Sequence, residues 1–425
     1  MATGEITSMS RPNFIVAVFD SLSEVAFQRL ASKLPTITTI RDTSISFANA
    51  YVCSPEGGPA RASLFTGLDM AAHGVWTDGV TLPAREETFP ERFRANGYET
   101  WLVGRRHLAG VSNWTTEHAR PHEYSHLEWG HGPLHRSRQN AYLTWLKEIA
   151  PKTYADIFPT QANPDETDIP PSQHKAIADL PDELSFNWWI GERMCAQISS
   201  QGRAKPFLGI AGFVVGQTMG GPPNVETCTE GINKRSLRQA DDALEKILRC
   251  LDSEKLSNNT SIILTAGRGC QTEGDADQQL RESAIKVPLM IRTPTHKPQR
   301  IESTVSTMDV APTLYDLAQI SAQQRVQGAT LLNDSYRNWA LSRLRHPSHR
   351  RQTSFRIDQW KLVMAETAKN APPTFALFDL SADPDEQNDL AKHSDHQDTL
   401  ENMIDQMIDA RVALEDRTEP RIAMF

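Results

Sequence analysis

Two glycines, Gly57 and Gly58, stand before Pro59-Ala60-Arg61 in the segment Asn49–Gly67, NAYVCSPEGGPARASLFTG. Small residues followed by Pro suit the start of a helix, where unpaired backbone N–H groups favour an anion. The fork of Arg61 can donate two parallel bonds to a sulfate, phosphate or carboxylate. A second concentration of reactive side chains lies downstream: His107, His118, His122, His126, His131 and His135 place six of the chain's 13 histidines within 29 residues. The i, i+4 spacing of His118, His122 and His126 would suit zinc on a helix, but Pro121 and the Gly130–Gly132 turn break such a helix, and only Glu117, Glu123 and Glu128 accompany it. The cluster reads as surface-loop histidines around one site-facing His107, and no zinc site is expected. Cys53, Cys195, Cys228, Cys250 and Cys270 are odd in number and scattered, with no Cys-x-x-Cys pair, so reduced thiols in a cytoplasm are expected. The basic run Arg343, Arg345, His346, His349, Arg350 and Arg351 reads as a solvated connection, with a docking surface for an acidic partner as the alternative.

These residues belong to a chain of 425 residues, 39% hydrophobic and 23% charged, with a formal net charge of −9. That balance is ordinary for a globular protein and argues against nucleic acid or a membrane surface as partner; an anionic ligand would need a local basic pocket. The first apolar run, Phe14–Phe19, has strand length rather than spanning length, and no export signal or membrane span is read. Buried strands are expected at Phe14–Phe19, Thr100–Val103, Phe207–Phe213, Ser261–Thr265 and Val287–Ile291. Helical spacing occupies Glu91–Asn96, Leu184–Ser200 and Ser236–Leu251, the last with Leu237, Ala240, Leu244, Ile247 and Leu251 on one face. Alternation of this kind predicts an α/β domain with a largely parallel central sheet flanked by helices, and ligands at the carboxyl ends of its strands. Pro151–Pro181, rich in Pro, Asp and Thr, is expected to be a long loop. After residue 335 the pattern changes to antiparallel strands within Thr353–Val363 and Thr374–Asp379 and a closing helix over Glu401–Leu414, so we divide the chain into an α/β domain of residues 1–335 and a small C-terminal α+β domain of residues 336–425.

Several segments, taken in order, resemble the sulfatases of the alkaline phosphatase superfamily. They are Arg11–Asp20, with an apolar strand ending on Asp; Pro59-Ala60-Arg61-Ala62-Ser63-Leu64-Phe65-Thr66-Gly67; Gly97-Tyr98 through Gly104-Arg105-Arg106-His107-Leu108; Lys205–Leu208; Val287-Pro288-Leu289 with Met308–Leu314; and Leu377–Leu380 with Ala382-Asp383-Pro384. One such match is weak; the series in family order implies fold and ancestry.

What the resemblance implies for chemistry can be followed position by position. The family nucleophile, a formylglycine made from Cys or Ser, falls on Gly57, which has no side chain to oxidise. Cys53 lies four residues upstream and is expected to be a half-buried structural thiol rather than a relocated nucleophile. The adjacent metal carboxylates become Asp20-Ser21, and the later metal-binding Asp becomes Gly267, with Arg268 beside it. Hard cations need several oxygen ligands, so no bound metal or other cofactor is expected. Arg105 stands at the family Lys, His107 and Arg61 match the family His and Arg, the Pro-His falls on Gly216-Gln217, and a further Lys falls on Asp277 or Gln278. His73 is expected to brace the turn, and Asp309 to cap a helix.

The expectation is therefore a sulfatase-like protein in which Arg61, Arg105, His107, Arg268 and Gln217 form an anion-binding site without sulfate-ester hydrolysis. A small molecule bearing sulfate, phosphate or carboxylate would be its ligand, with Arg268 taking over the charge of the missing metal. A homo-oligomer or protein partner is left open. The alternatives are a scaffold in which these Arg residues simply pair with acids such as Asp20 to fill the site, metal-independent catalysis with His107 as acid or base and Arg61 as anion stabiliser, and an ordinary sulfatase using another nucleophile.

Overall fold

The computed structural model describes residues 11–111, 115–158, 171–201, 205–215, 233–270, 280–322, 325–333, 336–345, 351–366 and 371–415. Eight strands form one sheet: β1 (Asn13–Phe19), β2 (Ile45–Tyr51), β3 (Glu99–Gly104), β4 (His126–Trp129), β5 (Phe207–Phe213), β6 (Thr260–Ala266), β7 (Leu289–Arg292) and β8 (Gln299–Ser306), in the order β4-β3-β5-β1-β6-β7-β2-β8. Every neighbouring pair is parallel except the two made by β7, which runs against β6 and β2. The expected parallel sheet is thus present with one strand reversed.

The middle strands β1, β5 and β6 are buried along their whole length, as apolar runs covered on both faces should be. Alternate residues serve opposite layers. Ile15, Ala17 and Phe19 join a core with Trp189, Ile190, Leu244 and Ile247 from the helices Phe186–Gln201 and Lys234–Ser253. Phe14, Val16 and Val18 join the opposite core with Phe65, Phe93 and Leu314 from the helices Gly57–Thr66, Phe89–Ala95 and Val310–Ala318. The apolar face expected on Ser236–Leu251 is the buried face of the longer helix Lys234–Ser253.

A second, antiparallel sheet contains β9 (Trp339–Arg345), β10 (Arg351–Ile357), β11 (Trp360–Glu366) and β12 (Thr374–Asp379), followed by the helix Gln397–Ala413. It docks on the first: Ala340 and Leu344 enter the main core, and Arg343 N–H donates to the Cys53 carbonyl at 2.8 Å. Two expectations are corrected here. Pro151–Pro181 carries helices at Pro151–Ile157 and Pro171–Ala178, because each Pro occupies a first-turn position where its missing N–H costs nothing. Arg343, Arg345 and Arg351 lie in paired strands rather than in a solvated connection, while residues 346–350 lie outside the described set. Among the described residues no helix is long and apolar enough to cross a membrane.

Candidate anion site

The parallel register aligns the ends of four strands, Phe19 with Phe213 and Ala266, and Gly104 with Gly212. The residues that follow, Asp20, Arg105 and Gly267, therefore emerge together at one edge of the sheet. Close approach at the β3–β5 step requires glycine: a Cβ on Gly104, where φ is 98°, would lie 2.4 Å from the Gly212 carbonyl oxygen. Beyond it the chain turns sharply at His107, held at φ 61°. Glu117, buried, accepts from His107 N–H at 2.8 Å, Leu108 N–H at 2.6 Å, Arg106 Nη1 at 2.9 Å and Trp129 Nε1 at 3.3 Å. Arg106 also donates to Glu123 Oε2 at 2.7 Å, so two buried carboxylates hold this turn through one guanidinium.

The side chain of His107 stands where a residue-57 side chain would begin. A Cβ built on Gly57 would lie 2.8 Å from His107 Cε1 and 2.9 Å from Nδ1. Gly57 does start a helix, but the Gly58 N–H is already taken, donating to Asp78 Oδ1 at 2.6 Å. The expected anion contact at that N–H is corrected accordingly. The same Asp78 oxygen lies 3.6 Å from His107 Nε2. Burial first, then the charges of Arg105, His131, Arg61 and Arg268, push His107 well below the usual histidine range, so it is neutral at pH 7.

Arg61 is fully buried and donates through Nη1 to the carbonyls of Arg105 at 3.2 Å and Arg106 at 3.4 Å. Its Nε and Nη2 have no hydrogen-bond partner among the described residues. Desolvation, and next the repulsion of Arg105, lower its pKa to about 10, which leaves it charged at neutral pH. A Cβ on Gly267 would meet Arg61 Nε at 3.0 Å. The Arg61 guanidinium is thus set against the Gly267 position. The Arg268 charge is still felt in the cluster, where it depresses Arg61, Arg105 and His107.

Arg105 pairs with Asp20, Nη1 to Oδ2 at 2.9 Å, and the other Asp20 oxygen accepts from Val215 N–H at 2.8 Å. Arg105 Nη2 donates to His131 Nε2 at 3.2 Å, which obliges the neutral His131 ring to carry its proton on Nδ1. That Nδ1, like Arg105 Nε, is buried without a partner among the described residues. His131 packs edge-on to His107 with ring centroids 5.4 Å apart, and against His135 at 5.2 Å. His131 and His135 are therefore not surface-loop residues; the chain after β4 folds them back onto the strand ends. Exposed His118 and His122 do fit that reading.

The remaining expected positions divide. Ser21 Oγ donates to the Gly269 carbonyl at 2.8 Å, away from any ligand role. Gly216, Gln217, Asp277 and Gln278 lie outside the described residues. Cys53 is buried at 1% exposure rather than half-buried, 3.5 Å from Ser306 Oγ, with burial pushing its thiol up to about 11. His73 does brace the turn: its Nε2 is 3.0 Å from Ser63 Oγ and its Nδ1 accepts from Val75 N–H at 3.0 Å. Asp309 accepts from Ser306 N–H at 2.9 Å in a capping box before Val310–Ala318.

The divalent cation implied by the resemblance does not fit these residues. Asp20 is engaged by a guanidinium, a second guanidinium faces Gly267, and no group of three His, Cys, Asp or Glu able to hold a metal occurs among the described residues. Fixed cations there would repel a divalent ion.

Comparison with known proteins places this geometry. The family model described as Sulfatase matches residues 12–157 and 233–320, more than half of the chain. An uncharacterized sulfatase of Escherichia coli (strain K12), YidJ, is 23% identical over 94% of this chain and 87% of its own length. Arylsulfatase K of Gallus gallus is 23% identical over 90% of this chain and 79% of its own. Among solved structures, the phosphonate monoester hydrolase of Agrobacterium radiobacter superposes with a TM-score of 0.73 at 18% identity, covering 96% of this chain and 97% of that one. At that identity the likeness speaks for the fold alone. With the family model spanning most of the large sheet, the chain belongs to the sulfatase family.

Proposed function

We propose that this sulfatase-family protein binds an oxyanion at Arg61, Arg105, His131 and Arg268 without hydrolysing a sulfate ester. The observation that carries the reading is the set of buried groups at the strand ends that have no partner among the described residues: Arg61 Nε and Nη2, Arg105 Nε and His131 Nδ1 are all donors. Each buried donor left unsatisfied costs about 1–3 kcal/mol, and more when charged, so the cluster is built to be completed by an acceptor. Arg61, Arg105 and Arg268 bias that acceptor toward an anion, with Asp20, Asp78 and Glu117 offsetting part of their charge. Among the described residues Gly57 offers no side chain as nucleophile, and His107 covers its face.

Calorimetric titration with inorganic sulfate tests this. Binding should weaken as salt rises and disappear in Arg105→Met, while 4-nitrophenyl sulfate and an aryl phosphonate ester should turn over no faster than buffer. Absence of sulfate binding would refute the reading. A second reading, metal-independent catalysis with His107 as base, draws support from the neutral state of that ring. It requires turnover that is lost in His107→Gln.

A further inference from the structure

Two of the scattered cysteines meet in the folded chain. Cys195 lies on the helix Phe186–Gln201 and Cys250 on the helix Lys234–Ser253. These helices run side by side in the same direction: Asn187 Nδ2 donates to the Ser236 carbonyl at 2.9 Å near their first turns, and Ser199 Oγ stands 3.6 Å from Cys250 Sγ near their last. They approach closely because Gly191 has no side chain; a Cβ there would lie 3.0 Å from Ala243 Cβ and 3.2 Å from the Ala243 carbonyl oxygen. Farther along, each thiol turns to the opposite helix. Cys195 Sγ donates to the Lys246 carbonyl at 3.5 Å, and Cys250 Sγ donates to the Cys195 carbonyl at 3.6 Å.

Helix geometry makes that exchange a meeting of sulfurs. A helical carbonyl points along the axis to the N–H four residues on, which for Lys246 is that of Cys250, and helical Cβ bonds tilt toward the N-terminus, which leans the Cys250 side chain back over Lys246. The Cys195 sulfur on that carbonyl therefore lies against the Cys250 side chain. Burial first, and then the charge and hydrogen bond of Cys250, push the Cys195 thiol up to about 12. Neither cysteine is sealed in the core: both are half-buried, and Ser199 and Arg249 beside them are exposed. A small reagent in solution can reach the pair, which the anion site does not use.

We propose that Cys195 and Cys250 are a disulfide-forming pair, closed across the two helices by a low-molecular-weight disulfide such as oxidised glutathione and reopened by a dithiol. Because the Cys195 thiol is held protonated, Cys250 attacks first. Its thiolate takes one glutathione sulfur, the glutathione disulfide bond breaks, and the departing thiolate picks up the proton that Cys250 lost. Cys195 then gives its proton to solvent and attacks Cys250 Sγ, expelling the second glutathione. The two protein thiols lose two electrons and two protons, and oxidised glutathione leaves as two thiols. The bond joins residues 55 apart in sequence and encloses β5, so it constrains the unfolded chain around a central strand.

The full chain is incubated with oxidised glutathione, digested without reductant and mapped by peptide mass, and its melting temperature is read before and after. The expected result is a linkage between the Cys195 and Cys250 peptides and a rise of about 2–5 °C that dithiothreitol reverses. Cys195→Ser and Cys250→Ser should each abolish both, and Cys195→Ser should keep glutathione on Cys250 as a mixed disulfide. Mixed disulfides in place of the linkage in the wild type, a linkage of either cysteine to Cys53, Cys228 or Cys270, or no reaction overturns the inference. So does a linkage that leaves the melting temperature unchanged or lower, since that bond would have formed only by distorting the helices.

Discussion

Replacing Arg61 by Met should make the protein more stable and less able to bind an anion. Arg61 is fully buried, and its fall from an ordinary value above 12 to about 10 corresponds to roughly 3 kcal/mol held against the charged guanidinium, at 1.36 kcal/mol per pH unit. Met fills a similar volume and abolishes that term together with two unpartnered donors. Against this stands the loss of two long hydrogen bonds, at 3.2 and 3.4 Å, to the Arg105 and Arg106 carbonyls, worth about 1 kcal/mol in all. The net expectation is a gain of about 1–2 kcal/mol, in line with other buried charges replaced by apolar side chains. For a chain of this length that is about 1–2 °C in melting temperature, because unfolding entropy near 2.1 cal/mol/K per residue makes each degree worth about 0.9 kcal/mol. Sulfate at a hundredfold excess over its dissociation constant should add about 2.7 kcal/mol to the wild type and nothing to the variant. Thermal and urea unfolding with and without sulfate give both numbers. A variant less stable than wild type by more than about 1 kcal/mol, or unable to fold, would show that Arg61 is a structural strut and refute the reasoning.

Three further outcomes follow from groups outside that cluster. His73 is held neutral by burial, its pKa lowered to about 3, so the unfolded chain binds the extra proton between pH 6.5 and 3; stability is lost on acidification through that window, and His73→Asn should flatten the stability–pH curve by about 1.4 kcal/mol per pH unit between pH 6 and 4. Lys361, fully buried between Glu282 Oε1 at 3.2 Å and Glu386 Oε1 at 2.6 Å, ties the second sheet to the first; Lys361→Met removes the cation between two buried carboxylates, leaving Glu282 its bond from Tyr51 O–H at 2.7 Å and Glu386 its bond from the Glu282 N–H at 2.8 Å, and should cost about 3–5 kcal/mol in urea unfolding. The Cys53 thiol, protonated at neutral pH, should escape iodoacetamide in the native protein and label only after unfolding, as read by peptide mass mapping; rapid native labelling would contradict its burial.

The sequence carried the middle of the sheet more clearly than its margins, for a physical reason. β1, β5 and β6 are buried throughout and announce themselves as apolar runs, whereas β2, β4 and β8 mix Ser, Asn, Glu and His with apolar residues and are only partly buried at some of those positions. The same contrast holds in the site. Asp20, Arg61, Arg105 and His107 were legible because each lies in a segment whose frame is recognisable. His131 was not, since nothing local marks a loop that returns to Arg105 after β4.

The places beside Gly57 and Gly267 are not empty. At Gly57 the imidazole of His107 lies within 2.8 Å of where a Cβ would begin, and at Gly267 the Arg61 guanidinium lies 3.0 Å from the same point. Enlarging either residue is therefore a steric problem before it is a chemical one. A Cys introduced at 57 must evict an imidazole from a loop held by Glu117, and an Asp introduced at 267 must find room beside a guanidinium already bonded to two carbonyls. The site is in this sense entrenched: a larger side chain at either position would require His107 or Arg61 to relocate in the same move.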